Sequence, residues 1–206
     1  ALITGATTGI GKETARALAA AGATVVITAR TDEKGEAAVT ELVELVPGGD
    51  ISYEVLELGS LESVRAFSDR FMAQHDRLHL LIANAGIMFA PEGRTVDGFE
   101  LHFGTNHVGH FVLVGRLIPL LVASAPARVV ILSSGGHHAS DIVWDDLAFD
   151  ERPFNKMEAY GQSKTANVLH AVELDRRLRD ELVDEHRFVL SDPMGAAFDY
   201  AKEFKS

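Results

Sequence analysis

The sequence predicts an α/β domain: a doubly wound parallel β-sheet flanked by helices on both faces. Short runs that are apolar on both faces, among them ALIT, TVVITA, LHLLIANAG and ARVVILSS, alternate with longer segments of helical pattern. Strands of that kind are buried on both sides, as in parallel sheets covered by helices. The first strand also runs at once into a Gly-rich turn and an Ala-rich helix, the opening of a nucleotide-binding βα unit. No internal repeat, low-complexity tract or linker divides residues 1–206, which read as a single domain.

Element by element, Ala1–Thr4 is the first strand, and a helix follows from about Ile10 to Ala21, ended by Gly22. Residues 24–29 are the second strand, and Asp32–Val46 is a helix stopped by Pro47-Gly48-Gly49. Residues 51–58 form the third strand. Ser60–His75 is a helix with Ser60 as its N-cap and Ser63 in its first turn. Residues 78–86 are a buried strand ending on Asn-Ala-Gly, Asp97–Ala123 a long helix and 127–134 the next strand. Residues 135–156 read as loop, Glu158–Glu181 as helix and 187–191 as a sixth strand.

A net charge of −11 with no basic block excludes nucleic acid and anionic membrane as general partners. Cysteine is absent, so disulfides, thiolate metal sites and a thiol nucleophile are excluded, and a reducing cytoplasmic location is expected. The most apolar stretch, Phe111–Ala125, is interrupted by Arg116 and Pro119 and is too short to span a bilayer. The chain opens inside a strand without an initiating Met, which reads as a trimmed N-terminus.

In open parallel sheets ligands bind beyond the C-terminal ends of the strands, so the residues just after each strand deserve scrutiny. The turn TGATTGIG places Gly5, Gly9 and Gly11 in the spacing G-x-x-x-G-x-G. Such a turn allows close backbone approach to a pyrophosphate and aims a helix N-terminus at it. The second strand ends in Ala29-Arg30, where an acid would hold the ribose hydroxyls of NAD. A planar permanent cation there favours the 2′-phosphate of NADP(H), although Asp32 nearby could serve ribose.

The stretch AYGQSKTAN sets Tyr160 and Lys164 four places apart, on one face of a helix. An ordinary phenol, with a pKa of about 10, exchanges protons poorly near neutrality. A nearby ammonium favours phenolate, so such a tyrosine could take a proton from an alcohol or give one to a carbonyl. Ser133 and Ser134, at the end of the preceding strand, are candidates for a hydroxyl that orients the substrate oxygen, although Ser-Ser there is more often a cap or turn.

Taken in order, T-G-x-x-x-G-I-G, N-A-G, the Asn of GTNHVGHF, S-S and Y-x-x-x-K resemble the short-chain dehydrogenase/reductase family over about residues 1–190. The stretches NHVGHF, DDLAFDE and AYGQSKTANVLHAVEL are similar to its retinol-dehydrogenase-like and WW-domain-oxidoreductase-like branch. The resemblance implies a Rossmann-type fold and an NADP(H)-dependent oxidoreductase interconverting an alcohol and a carbonyl. Tyr160 would be the general acid/base, Lys164 would support its phenolate and hold the nicotinamide ribose, and Ser134 would orient the substrate oxygen. Asn106 would bend the long helix and hold a water linking Lys164 to solvent. Gly5, Thr8, Gly9, Ile10 and Gly11 would line the phosphates and nicotinamide. Asn84, Ala85 and Gly86 would pin the central strand and leave room for the cofactor. Glu57 and Leu58 would lie by the adenine, with Glu57 in place of the family's usual Asp, and Pro193 by the carboxamide. The family's long helix often pairs with its twin, which implies a homodimer or homotetramer.

The C-terminal stretch departs from the family pattern. Met194 separates Pro193 from Gly195, no Thr follows, and only 11 residues remain, so residues 182–206 are expected to be incomplete or discontinuous. A catalytically inactive NADP(H)-binding scaffold of the same fold is the alternative function. A nucleotide-sugar epimerase shares Y-x-x-x-K, but would need G-x-x-G-x-x-G and a larger C-terminal domain. His137, His138, Asp141, Asp145 and Asp146 lack the convergence that a metal requires and read as a solvated loop. His107 and His110 read as packing or pocket residues, and Trp144 and Phe149 as pocket walls or loop anchors.

Overall fold

The computed structural model describes residues 1–181, with side chains to 178. The expected sixth strand at 187–191, and Pro193, lie outside the described residues. Five parallel strands, β1 (Leu2–Ile3), β2 (Val25–Ala29), β3 (Ile51–Val55), β4 (Leu80–Ala83) and β5 (Arg128–Ile131), form one sheet in the order β3-β2-β1-β4-β5. The order reverses between β1 and β4, the crevice where doubly wound folds bind ligands. Helices α1 (Gly9–Ala20), α2 (Asp32–Leu45), α3 (Leu61–Gln74), α4 (Gly109–Ala123) and α5 (Lys156–Glu181) supply the covering layers.

Alternation along the strands sends side chains to two cores. Leu2, Val26, Leu81, Val129 and Ile131 join Phe67 and Phe71 of α3 with Leu113, Leu117 and Leu121 of α4. Ile3, Val25 and Ile27 instead meet Ala15 and Ala19 of α1 with Ala38 and Leu42 of α2. Truncating a fully buried residue such as Leu81 or Leu117 to Ala should cost about 2–5 kcal/mol.

Several elements are shorter than their apolar runs. The sequence extends the third strand to Leu58, but β2 ends at Ala29, whose carbonyl takes the last bond from Leu56 N–H; beyond it there is no strand to pair with. The fourth strand stops at Ala83 because Asn84 N–H turns to the Thr4 side chain and the Ile82 carbonyl. The long helix begins at Leu101 rather than Asp97, since Gly98 has a φ of +88° and the Asp97 carboxylate accepts the Leu61 N–H at 2.8 Å, at the start of α3. Ser60 caps α3 as expected, its hydroxyl accepting the Ser63 N–H at 3.2 Å.

Phe103–Val108 is π-helical and runs into α4; the Gly109 N–H reaches back to the Gly104 carbonyl, five residues earlier. The continuous helix Phe103–Ala123 is 21 residues long, enough by length and composition to cross a bilayer, contrary to the shorter stretch read from the sequence. Its buried face is nevertheless part of the core described above, and apolar core helices satisfy the same criterion.

Candidate active site

The C-terminal edge of β1, β4 and β5 gathers most of the expected residues. Asn84 ties β4 to the Gly-rich turn: its side-chain amide donates to the carbonyls of Thr4 (2.8 Å) and Gly5 (3.1 Å). The Thr4 hydroxyl accepts the N–H groups of Asn84 and Ala85, each at 3.0 Å, and lies 2.8 Å from Nε2 of His110. A Cβ on Gly5 would sit 2.7 Å from Ala85 Cα, and one on Gly11 2.4 Å from the Asn84 amide. The tight turn therefore has no room for larger residues at these two positions.

Gly9 differs: its φ is +58°, and its Cβ direction opens onto empty space. Thr8 is the N-cap of α1 with no side-chain capping bond, the first turn carries no acid, and Ile10 is exposed. An open helix N-terminus without a competing carboxylate suits a pyrophosphate. The turn thus fits the phosphates of a dinucleotide. Arg30, just past β2, is exposed, while Asp32 accepts a hydrogen bond from the Tyr53 hydroxyl at 3.3 Å.

The two expected adenine neighbours lie in the loop between β3 and α3. Glu57 turns an oxygen back onto the Gly59 N–H at 2.8 Å, and the Leu58 side chain is buried in the core. A Cβ on Gly109 would meet the Leu58 carbonyl at 2.4 Å, so α4 packs closely on this loop.

Tyr160 and Lys164 share the inner face of α5, with Nζ 5.7 Å from the tyrosine ring centre. Both residues are buried, and Nζ donates to the Leu132 carbonyl at 3.1 Å. Burial pushes the Lys164 ammonium down to about 8. The two serines divide their tasks. The Ser133 hydroxyl donates to the Lys164 carbonyl at 2.9 Å and fastens β5 to α5. The Ser134 hydroxyl accepts the Gly136 N–H at 3.1 Å. A Cβ on Gly136 would lie 2.6 Å from the Tyr160 ring and 3.4 Å from Ser134 Oγ, so Gly136 lets the ring settle beside that serine.

Asn106 sits inside the π-helical turn, fully buried. Its side chain accepts the Ile87 N–H at 2.8 Å and donates to the Ile87 carbonyl and the Ser163 hydroxyl, each at 3.0 Å. Its own carbonyl accepts Nδ1–H of His110 (2.9 Å) and the Asn167 amide (3.2 Å). A Cβ on Gly86 would come within 3.2 Å of Asn106 Oδ1 and 3.6 Å of Lys164 Nζ. The sequence gives no role to Ile87 or Gly136, nor to Thr4 beyond its place at the head of T-G-x-x-x-G-I-G, because their parts depend on partners distant along the chain.

The loop after Ser134 is internally tied. Phe149 is a buried anchor, with the Arg152 guanidinium 3.9 Å above its ring and Phe154 packed edge-on, whereas Trp144 is 69 % exposed. Asp146 accepts the N–H groups of Asp150, Glu151 and Arg152, and Asp141 accepts that of Ile142. The rings of His137 and His138 lie tilted by 37°, with centres 3.9 Å apart.

Five parallel strands flanked by helices, in the order β3-β2-β1-β4-β5, define a doubly wound α/β protein of Rossmann type. Residues 1–145 match the short chain dehydrogenase family, to which the chain belongs. It is 48% identical over 178 residues to mouse (Mus musculus) retinol dehydrogenase 12, covering 86% of this chain and 56% of that one. It is 44% identical over 178 residues to human (Homo sapiens) retinol dehydrogenase 13, covering 86% and 54%. The chain thus spans about half the length of the curated relatives it matches. A crystal structure of an uncharacterized Mycobacterium paratuberculosis protein superposes with a TM-score of 0.83 at 40% identity, covering 98% of this chain and 70% of that one. A metagenomic short-chain oxidoreductase in complex with NADP gives 0.74 at 26% identity, covering 95% and 81%.

Proposed function

We propose that the protein is an NADP(H)-dependent oxidoreductase that interconverts an alcohol and a carbonyl, with Tyr160 as general acid/base. The observation that carries this reading is the Tyr160–Lys164 pair on one helical face, with Ser134 held beside the tyrosine ring across Gly136. A nicotinamide dinucleotide bound along the Gly-rich turn would supply the hydride donor or acceptor. Gly5, Thr8, Gly9, Ile10 and Gly11 would hold its phosphates, Arg30 its 2′-phosphate, and the NADP complex of a relative supports that preference. Retinol dehydrogenases among the relatives support an alcohol or aldehyde as substrate.

In carbonyl reduction Ser134 would donate a hydrogen bond to the substrate oxygen and Tyr160 would deliver the proton to it; in oxidation Tyr160 would take that proton back. Lys164 would electrostatically favour the phenolate left behind, and the two Nζ–H donors not given to the Leu132 carbonyl would be left for the ribose. Asn106 acts in this reading as a positioning residue, since its carboxamide is committed to Ile87 and Ser163 and its carbonyl to His110 and Asn167. Phe111 and Leu169, both exposed on α4 and α5, support self-association of the long helices.

The deciding experiment follows NADPH oxidation by the full-length protein across aldehydes and ketones, beside Tyr160→Phe. Turnover by the wild type and a loss of about 10²–10⁴-fold in the variant, with NADPH binding retained, is expected. Binding without any turnover would favour the inactive scaffold.

A further inference from the structure

The segment leaving β4 passes Tyr160 on a strained backbone. Phe89 has a φ of +57°, a left-handed conformation rarely taken by a bulky residue. Two side-chain clamps bracket it. Asn106 holds both backbone groups of Ile87, and the Ala90 N–H donates to Nε2 of His102 at 3.0 Å.

His102 is fully buried, and its Nδ1 lies 2.6 Å from Oε1 of the buried Glu100, whose other oxygen accepts the Phe103 N–H at 2.8 Å. Because Nε2 accepts a backbone N–H it carries no proton, which makes Nδ1 the donor to the carboxylate. Glu100 therefore fixes the ring so that its free lone pair meets Ala90. The rings of Phe89 and His102 each lie 6.3 Å from that of Tyr160, Phe89 tilted and His102 edge-on. Phe89 remains 41 % exposed, and its neighbour Met88 is exposed as well, so this wall of the site is apolar.

We propose that His102, oriented by Glu100, is a positioning residue that holds Phe89 in its left-handed backbone against Tyr160, making Phe89 the wall that receives the apolar part of the substrate. The role in substrate fit rests on the oxidoreductase reading above; the clamp on Ala90 does not. Without an acceptor at Nε2 the Ala90 N–H loses its partner, Phe89 relaxes to negative φ, and its ring leaves Tyr160.

The test uses the full-length protein with His102→Leu, His102→Gln, Phe89→Ala and the His102→Leu/Phe89→Ala double variant. Kinetics are measured with a bulky apolar aldehyde and a small one, and hydrogen exchange at the Ala90 amide is measured without cofactor. His102→Leu is expected to raise KM for the bulky aldehyde about tenfold while kcat stays within about threefold, the signature of lost substrate binding. NADPH affinity and the small aldehyde should be unaffected. His102→Gln, whose amide oxygen can accept the Ala90 N–H, should recover most of the loss, and His102→Leu should add nothing in the Phe89→Ala background. Ala90 exchange should quicken by about tenfold in His102→Leu and stay slow in His102→Gln.

Equal losses with both aldehydes, or an undiminished loss in the Phe89→Ala background, would overturn the role in substrate fit. Unchanged Ala90 exchange would overturn the clamp. Should the wild type turn over no carbonyl, the oxidoreductase reading and the substrate wall fall together, and Ala90 exchange alone decides the clamp. If His102→Leu does not fold, Glu100→Gln takes its place: faster Ala90 exchange supports the proposal and unchanged exchange defeats it.

Discussion

The Asn106 side chain holds both the N–H and the C=O of Ile87, at 2.8 and 3.0 Å, as a neighbouring strand would. This fastens the π-helical turn to the segment that leaves β4. Asn106→Ala would leave these backbone groups without their partner, at about 1–3 kcal/mol for each buried group. Urea unfolding should show that loss, and activity should fall with it because Ile87 and Ser163 are released together. A variant as stable as the wild type would refute the clamp.

Gly135 and Gly136 are neighbours with opposite surroundings. A Cβ on Gly135 meets nothing within 4 Å, whereas one on Gly136 lies 2.6 Å from the Tyr160 ring. Gly136→Ala should lower kcat/KM by about 10²-fold through displacement of the ring, and Gly135→Ala should be nearly silent. Steady-state kinetics of the two variants side by side provide the check.

Lys164 costs the fold stability. Its folded pKa of about 8 lies below the ordinary 10.5, so the unfolded chain binds more protons between those values. Stability should therefore rise as pH climbs through that window, and the cost is fully present below about pH 8. Lys164→Met should gain about 1–3 kcal/mol at pH 7, since Leu132 O keeps its bond from Asn167, and should lose the alkaline dependence while abolishing turnover. Denaturant titrations at pH 7 and pH 10 test the sign.

Arg30 should discriminate between cofactors. Arg30→Gln is expected to weaken NADPH binding by about 10–100-fold, the worth of a charge-assisted hydrogen bond, and to leave NADH binding almost unchanged. Fluorescence titration with each cofactor measures the ratio. Equal weakening of both would remove the 2′-phosphate from its role.

His110 makes the fold sensitive to acid. Burial pushes its imidazole down to about 4; the charges of Lys164 and His107 add to this, and the bond to the Asn106 carbonyl opposes it. The unfolded chain takes up a proton below about 6.5 that the folded chain refuses until about 4, so stability is lost as pH falls through that window. His110 contributes about 3 kcal/mol to this loss when complete, and His110→Gln should remove that share while the part carried by His107 and His170, whose imidazoles burial also pushes down, remains. Equal wild-type stability at pH 7 and pH 5 would contradict this.

What the sequence revealed was local. G-x-x-x-G-x-G and Y-x-x-x-K are each confined to one turn or one helical face, so their spacing fixes their geometry. The same holds for the Ser60 cap. Strand ends were overextended because apolar composition outlasts pairing: Leu56 makes the last bond to Ala29, and Asn84 turns to a side chain. The contacts from Thr4 to His110, Gly136 to Tyr160 and Ala90 to His102 join residues 106, 24 and 12 positions apart, and only the folded chain brings them together. The π-helical turn was read only as a bend implied by family resemblance, because Asn within a helix carries no local signal stronger than mild disfavour.

That turn also sets a phase. A helix advances about 100° per residue, so one residue accommodated in a wide turn rotates everything after it by that angle. Leu113, Leu117 and Leu121 face the core, and Phe111 faces outward, only in the rotation that Phe103–Val108 imposes. Removing one residue from this turn would leave the composition of α4 unchanged and swing its apolar seam away from α3. The turn thus works as a rotational offset between the residues that hold Ile87 and those that build the core.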